Sequence, residues 1–155
     1  MLTFMSATGI VGDSTSAGRV GQIVLLTCNF GLGRFTDSNG LPLGGIMPRL
    51  IRVQKHGDSA SPMLAEHCAR GTGPDLLTIQ FTMTTSSTKL TEVDVLSLEL
   101  NGARIERFDS QFTANGDSTL EAIDISYSRI TVRVTTRNNA GNTIEIKSYQ
   151  FLLPK

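Results

Sequence analysis

The chain has 155 residues, of which 39% are hydrophobic and 18% charged, and this composition suits a single folded domain, 1–155, rather than long disorder. The 14 basic residues balance the 14 acidic ones, so the basic excess typical of a nucleic-acid binder is absent and no nucleic-acid partner is expected. The chain has no Trp, which argues against an aromatic-lined sugar site and favours a neutral surface that associates with other protein.

The amino-terminal segment and the cysteines bear on the compartment in which the chain folds. The segment Met1–Ser6 has no basic region and no sustained apolar run, so we predict no signal peptide. No stretch approaches the roughly 20 apolar residues of a membrane span, so no membrane insertion is expected. Cys28 and Cys68 could form one disulfide, but two cysteines do not make a disulfide framework, and we favour buried free thiols in a reducing compartment.

The first third of the chain predicts two strands and a long irregular segment. Residues 2–10 indicate one strand. Residues 22–30 indicate another, which has apolar residues on both faces and is therefore expected to be buried on both sides near its start. The Gly-rich segment 31–45 predicts a loop. Its apolar side chains leave two interpretations open, a binding element or a loop folded back over the domain's own core. These side chains include Phe35, Leu41 and Leu43.

A strand, a polar turn and the one convincing helix of the chain follow. The strand is predicted over 46–54. Ser61 is suited to cap the amino end of the helix, because its hydroxyl can accept a bond from an unpaired backbone N–H, and Pro62 then takes the first helical position. Arg70 suits the negative end of the helix dipole, and Gly71 suits the left-handed residue that ends a helix.

The remainder of the chain predicts a β meander. Residues 77–83 alternate apolar and polar side chains, as a half-buried strand does. Changes of phase predict bulges near Val95 and at Ser128-Arg129. Three hairpin turns are predicted, at Asn101-Gly102, Asn115-Gly116-Asp117 and residues 138–142. About eight strands and one short helix favour a mainly β fold, either a small β-barrel or a two-sheet sandwich.

No group of residues predicts catalysis. His56, Asp58 and Ser61 lie close in sequence, but a catalytic triad is a spatial arrangement, and Asp58 and Ser61 suit turn and capping roles better. His67 and Cys68 lack the further ligands that would complete a metal site. We therefore expect no enzyme activity, no cofactor and no metal.

Four segments in order along the chain resemble the haemolysin-coregulated protein (Hcp) family, the tube subunit of the bacterial type VI secretion system. The most specific segment leads into the helix after a Gly44-Gly45 loop, and its matching residues are Lys55, Asp58, Ala60, Ser61 and Pro62. The other three are Gly9-Ile-Val-Gly12-Asp-Ser14, Leu98-x-Leu100-x-x-Ala103-x-Ile105 and Glu121-x-Ile123-x-Ile125-x-Tyr127-Ser-Arg-Ile130.

The resemblance implies a β-barrel with one flanking helix and a homohexameric ring. The rings would stack into a hollow tube that works with sheath, spike and baseplate proteins and holds effector proteins in its lumen. It also implies a bacterial cytoplasmic protein that the type VI machine secretes without a signal peptide. We predict that ring stacking uses Phe35, Leu41, Leu43 and Met47. Two alternatives are a tube protein of a phage tail or other contractile injection machine, and a monomeric ligand-binding β domain.

Overall fold

The computed structural model describes residues 2–84, 92–112, 119–138, 140 and 142–153. Within these ranges the chain forms twelve strands and one helix. In chain order they are β1 (Leu2–Ala7), β2 (Ile23–Leu25), β3 (Thr27–Asn29), β4 (Leu32–Thr36), β5 (Pro42–Pro48), β6 (Ile51–His56), α1 (Ser61–Arg70), β7 (Leu76–Thr84), β8 (Glu92–Asn101), β9 (Arg104–Phe112), β10 (Thr119–Ser126), β11 (Arg129–Arg137) and β12 (Thr143–Leu152).

Two antiparallel sheets pack face to face and enclose one hydrophobic core. The larger sheet has the strand order β12-β11-β8-β7-β1-β2, and the smaller has the order β3-β6-β10-β9. The inward residues of both sheets are almost all apolar and fully buried, as in Ile23, Ile79 and Leu98 of the larger sheet and Ile51 and Ile123 of the smaller. The prediction of a mainly β fold with one helix is confirmed, and the described strands form the sandwich rather than a closed barrel.

The segment 22–30, predicted as one strand, is two strands in different sheets. β2 pairs with β1 in the larger sheet, and β3 pairs with β6 in the smaller one. Leu26 stands between them, and its N–H donates to the carbonyl of Gln54 at 2.7 Å. Burial on both sides was therefore a wrong prediction. Ile23 and Leu25 face the core, whereas the side chain of Val24 is exposed like that of Leu26.

Two other predictions were wrong for the same reason. β8 ends at Asn101 but does not pair with β9, which lies in the smaller sheet, so Asn101-Gly102 is a crossing between sheets and not a hairpin turn. The phase change at Ser128-Arg129 is a second crossing, from β10 to β11, and not a bulge. The two crossings touch, since the N–H of Ser128 donates to the carbonyl of Asn101 at 3.0 Å.

Two local predictions in the meander are confirmed. In the β7–β8 pair, Phe81 lies opposite Leu96 and Thr82 lies opposite Asp94, which leaves Val95 as the extra residue of a bulge. Asn138, Ala140 and Asn142 lie in the connection between the paired strands β11 and β12. The carboxamide oxygen of Asn138 accepts bonds from two N–H groups of this turn, those of Ala140 and Asn142. The predicted turn at residues 115–117 lies outside the described residues.

The helix begins at Ser61, the residue that was predicted to precede it as its cap. Ala60 occupies the capping position and offers no side-chain bond, so the prediction of Ser61 as the cap was wrong. Pro62 lies in the first turn, where its missing N–H leaves no helical bond unmade. At the other end Gly71 adopts a left-handed φ of 65° and ends the helix, as predicted. Leu64 is the buried residue that anchors the helix on the core.

Both cysteines are free thiols, as predicted, although each is half-buried and not fully buried. Cys28 lies in β3 and Cys68 in α1, and both pack against the core cluster. Burial raises the pKa of the Cys28 thiol to about 11, because an apolar environment disfavours the thiolate.

Candidate functional site

The segment 31–45, predicted to be irregular, is largely a β-hairpin. Among the described strands, β4 and β5 pair only with each other and form a separate two-stranded sheet. Asp37 organises the turn between them, because its carboxylate accepts bonds from the N–H groups of Asn39 and Leu41, each at 2.9 Å. Gly40 has a φ of 77°, in the left-handed region that only glycine adopts without strain. The predicted loop is therefore a pair of hydrogen-bonded strands that stands apart from the two larger sheets.

Three apolar side chains of this hairpin are exposed to solvent. The exposed fractions are 47% for Phe35, 61% for Leu41 and 66% for Leu43. The interpretation in which the segment folds back over the domain's own core is therefore wrong. Met47, the fourth predicted stacking residue, lies in β5, and its side chain is outside the described part of the structure. Three of the predicted stacking residues thus share one projecting element and are free to contact another molecule.

The last strand, β12, is a second exposed apolar surface, and sequence analysis did not single it out. In the part of the chain that the structure describes, it pairs with β11 alone and so forms an edge of the larger sheet. Nearly every residue of β12 is exposed. An edge strand of ten residues with uncovered apolar side chains invites pairing with another chain. The exposed apolar residues are Ile144 (66%), Ile146 (58%), Tyr149 (58%) and Leu152 (72%).

The motif that leads into the helix surrounds a fully buried lysine. Lys55 lies on the inward face of β6, and its ammonium donates to the carboxylate of Asp58 at 2.7 Å and forms an ion pair with the carboxylate of Glu121, also at 2.7 Å. It also donates to the hydroxyl of Ser61 at 3.0 Å and to the backbone carbonyl of His56 at 2.8 Å. A buried charge is tolerated only when it is paired and hydrogen-bonded. We call Lys55, Asp58, Ser61 and Glu121 the lysine centre.

The lysine centre explains why Ser61 does not cap the helix. Its hydroxyl donates to Glu121 at 2.8 Å and accepts from the N–H of Asp58 at 3.0 Å. The carboxylate of Asp58 in turn accepts from the N–H of Ala60 at 3.0 Å. The motif therefore ties β6, the start of α1 and β10 together. Sequence analysis missed Glu121 as a member, although a Glu in phase with Ile123 on an alternating strand signals an inward charge.

The outer face of the smaller sheet carries an ion pair with a predictable pH dependence. The guanidinium of Arg52 donates two bonds to the carboxylate of Asp124, at 2.6 and 2.9 Å. These bonds hold the pKa of Asp124 below its usual 3.8. A carboxylate whose pKa is lower in the folded than in the unfolded state stabilises the fold above the unfolded pKa, and loses this contribution as the pH falls through the folded one.

We therefore expect Asp124→Asn to lower the melting temperature at pH 7 and to lower it less as the pH falls below 3.8. Thermal unfolding of both proteins between pH 7 and pH 2 measures this difference. Asp109→Asn is the matched control on the same face, since Asp109 and its partner Arg107 are both more than half exposed and their pairing should contribute little. A constant difference across the range would show that the pair does not act through the ionised Asp124.

The geometry shows no assembled catalytic or metal site in the described residues. The hydroxyl of Ser61 is engaged with the lysine centre, and no imidazole is among its described partners. Within the described ranges no three His, Cys, Asp or Glu residues are grouped so that they could hold a metal ion. Among the described residues, no helix has the length and apolarity needed to span a membrane.

Comparisons with known proteins assign the chain to a family. The family described as "Type VI secretion system effector, Hcp" matches residues 4–134, which is most of the chain. The comparison with curated proteins found no match.

Solved structures share the fold over nearly the whole length. A structure of a type six secretion system protein is 20% identical, with 98% of this chain and 95% of that chain covered and a TM-score of 0.86. A type VI secretion system effector from Yersinia pestis is 18% identical, with 97% and 99% covered and a TM-score of 0.75. A variant of Hcp1 from E. coli EAEC 042 is also 18% identical, with 97% and 96% covered and a TM-score of 0.78. The chain belongs to the Hcp family of type VI secretion tube proteins.

Proposed function

We propose that this protein is the tube subunit of a type VI secretion machine, whose copies close into a six-membered ring and whose rings stack into a hollow tube. The tube carries effector proteins in its lumen and works with sheath, spike and baseplate proteins. The subunit is made in the bacterial cytoplasm and leaves the cell through the machine without a signal peptide. Its role is structural, with no catalytic step, cofactor or metal.

The observation that carries this proposal is the exposure of the apolar hairpin residues Phe35, Leu41 and Leu43. Apolar side chains concentrated on a projecting element are typical of a surface that another protein covers. The hairpin continues from the end of β3 at Asn29 and leads into the start of β6 at Ile51, so it can contact a neighbour beyond that end without changing the sandwich.

Ring closure requires a contact different from stacking, and β12 supports one. A ring forms when a patch on one copy meets a different patch on the next, and the rotation between copies closes. β12 offers an unpaired edge and exposed apolar side chains at the rim of the larger sheet. The chain therefore has two separate uncovered surfaces, as a subunit with lateral and axial neighbours needs.

Size-exclusion chromatography with light scattering, followed by negative-stain electron microscopy, tests the proposal. We expect a mass six times the 16.7 kDa of the chain and rings with a central hole. A single species of 16.7 kDa at every concentration tested, with no rings on the grid, would contradict self-assembly and favour the monomeric ligand-binding interpretation.

A further inference from the structure

Residues 11–21, between β1 and β2, form a compact loop whose two ends are joined, and we call this loop the strap. The N–H of Gly12 donates to the carbonyl of Gly21 at 2.8 Å, and the N–H of Gly21 donates to the carbonyl of Ser14 at 2.9 Å. A Cβ at Gly12 would lie 2.6 Å from the carbonyl oxygen of Gln22, so only glycine lets the ends approach this closely. Compact surface loops with joined ends are frequently functional.

The strap is attached to the rest of the chain by polar contacts. Its apolar residues Val11, Ala17 and Val20 are all exposed, so none of them anchors it on the core. Near its start, Asp13 accepts bonds from the hydroxyl and the N–H of Ser59, and these contacts are exposed to solvent. A segment with few buried apolar contacts opens at a lower free energy than the core does.

Arg19 attaches the strap to the larger sheet. Its guanidinium donates to the side-chain oxygen of Gln80 at 2.7 Å and forms an ion pair with the carboxylate of Asp94. Gln80 also donates to Asp94 at 3.1 Å, so the three side chains form one network. The side chain of Arg19 is 11% exposed, and hydrogen bonds between charged groups are stronger than neutral ones. Arg19 therefore acts as the latch of the strap.

The latch covers an aromatic ring on the outer face of the larger sheet. Phe4 is fully buried but is not a member of the hydrophobic core cluster. It lies opposite Val24 and Gln80 in the neighbouring strands, and Val24 is exposed. The guanidinium of Arg19 lies over the ring of Phe4, 5.8 Å from its centroid, in a cation–π arrangement. Removal of Arg19 from this position would expose the ring and leave the inward residues of both sheets in place.

We infer that the strap opens and closes over the folded sandwich, with Arg19 as its latch, and that the open strap exposes Phe4. The closed strap is thus a cover that keeps Phe4 from contact with other molecules until the latch is released. All of the latch contacts lie within one copy, so this motion does not depend on ring formation.

Limited digestion with trypsin tests the latch, because trypsin cleaves after Arg19 only when this side chain has left its partners. Asp94→Asn removes the ion pair and preserves the shape of the side chain. When opening is fast relative to cleavage, the cleavage rate follows the population of the open form. We expect Asp94→Asn to raise the initial rate of cleavage after Arg19 by about tenfold. Mass spectrometry identifies the fragment of residues 1–19 that this cleavage releases.

Glu99→Gln is the matched control for the loss of a carboxylate from β8. Glu99 lies opposite Thr78 and Thr131 in the neighbouring strands and not under the strap. Its replacement should leave the rate of cleavage after Arg19 unchanged. An equal increase in both variants would show that the charge of β8, and not the latch, controls the cleavage, and would contradict the inference.

Ile123→Val separates local opening from unfolding of the whole domain. Ile123 is fully buried in the smaller sheet, so the loss of one methylene lowers the stability of the sandwich without touching the strap. We expect the midpoint of denaturant unfolding to fall and the rate of cleavage after Arg19 to stay the same. The inference is overturned if cleavage rises in proportion to the lost stability, or if Asp94→Asn cleaves no faster than the parent chain.

Discussion

Ile146→Lys is expected to convert the ring into monomers. Ile146 is 58% exposed on the edge strand β12, so a lysine there leaves the isolated fold nearly unchanged. In a lateral contact the same lysine would place an unpaired charge in an apolar interface, and burial of an unpaired charge is strongly unfavourable. Because the change recurs at every interface of a ring, we expect association to weaken about 100-fold or more. Mass by light scattering across a concentration series measures the effect.

Val20→Lys is the matched control, since it replaces an even more exposed apolar residue in the loop before β2. It should leave the ring mass unchanged. Circular dichroism of Ile146→Lys should overlay that of the parent chain, which separates loss of association from loss of folding. Rings of unchanged mass from Ile146→Lys would show that β12 is not the lateral contact.

Lys55→Met should cause the largest loss of folding stability. Methionine fills a similar volume but leaves the carboxylates of Asp58 and Glu121 without their cation, and Glu121 is almost fully buried. Breaking a buried pair by removing one partner costs about 3–5 kcal/mol, a large share of the roughly 5–15 kcal/mol that holds a domain folded. The melting temperature should fall by on the order of 10 °C.

Denaturant unfolding of the monomeric Ile146→Lys chain gives the cleanest measurement, because association adds to apparent stability. The triple variant Lys55→Met, Asp58→Asn and Glu121→Gln removes the unpaired charges together and should recover part of the loss. Gln54→Met, on the half-buried outward face of the same strand, is the control for a methionine in β6. A Lys55→Met chain within about 1 kcal/mol of its parent would contradict a stabilising role for the centre.

Local features of the fold could be predicted because they are set by neighbouring residues. Side-chain phase or the φ of one residue is enough to set each of them. They are the alternation of β7, the bulge at Val95, the turn at Asn138 and the end of the helix at Gly71. The switch of sheet at Leu26 and at Ser128 could not be predicted in this way. The sequence shows the same change of hydrophobic phase whether a strand contains a bulge or the chain crosses from one sheet to the other.

The structure of the candidate site could not be predicted in full, because it depends on contacts between residues that lie far apart in the sequence. Ser61 is a good capping residue locally, but Lys55 and the distant Glu121 compete for its hydroxyl. The hairpin segment was predicted to be a loop because Gly44 and Gly45 break the strand pattern of the sequence. Both residues nevertheless lie within β5, where they adopt a φ near 80°. The exposure of β12 could not be predicted, because its alternation is that of an ordinary half-buried strand. Only the packed sheets show that it has no partner on its outer side within the described residues.

Cryo-electron microscopy of the assembled wild-type chain tests the central claim, that β12 and the hairpin are the two surfaces through which copies associate. The map should show closed rings in which a lateral neighbour covers Ile144 and Ile146 of each copy. The hairpin should project beyond the plane of its own ring. Assemblies in which β12 and the hairpin both face solvent, with contacts made elsewhere, would contradict the account.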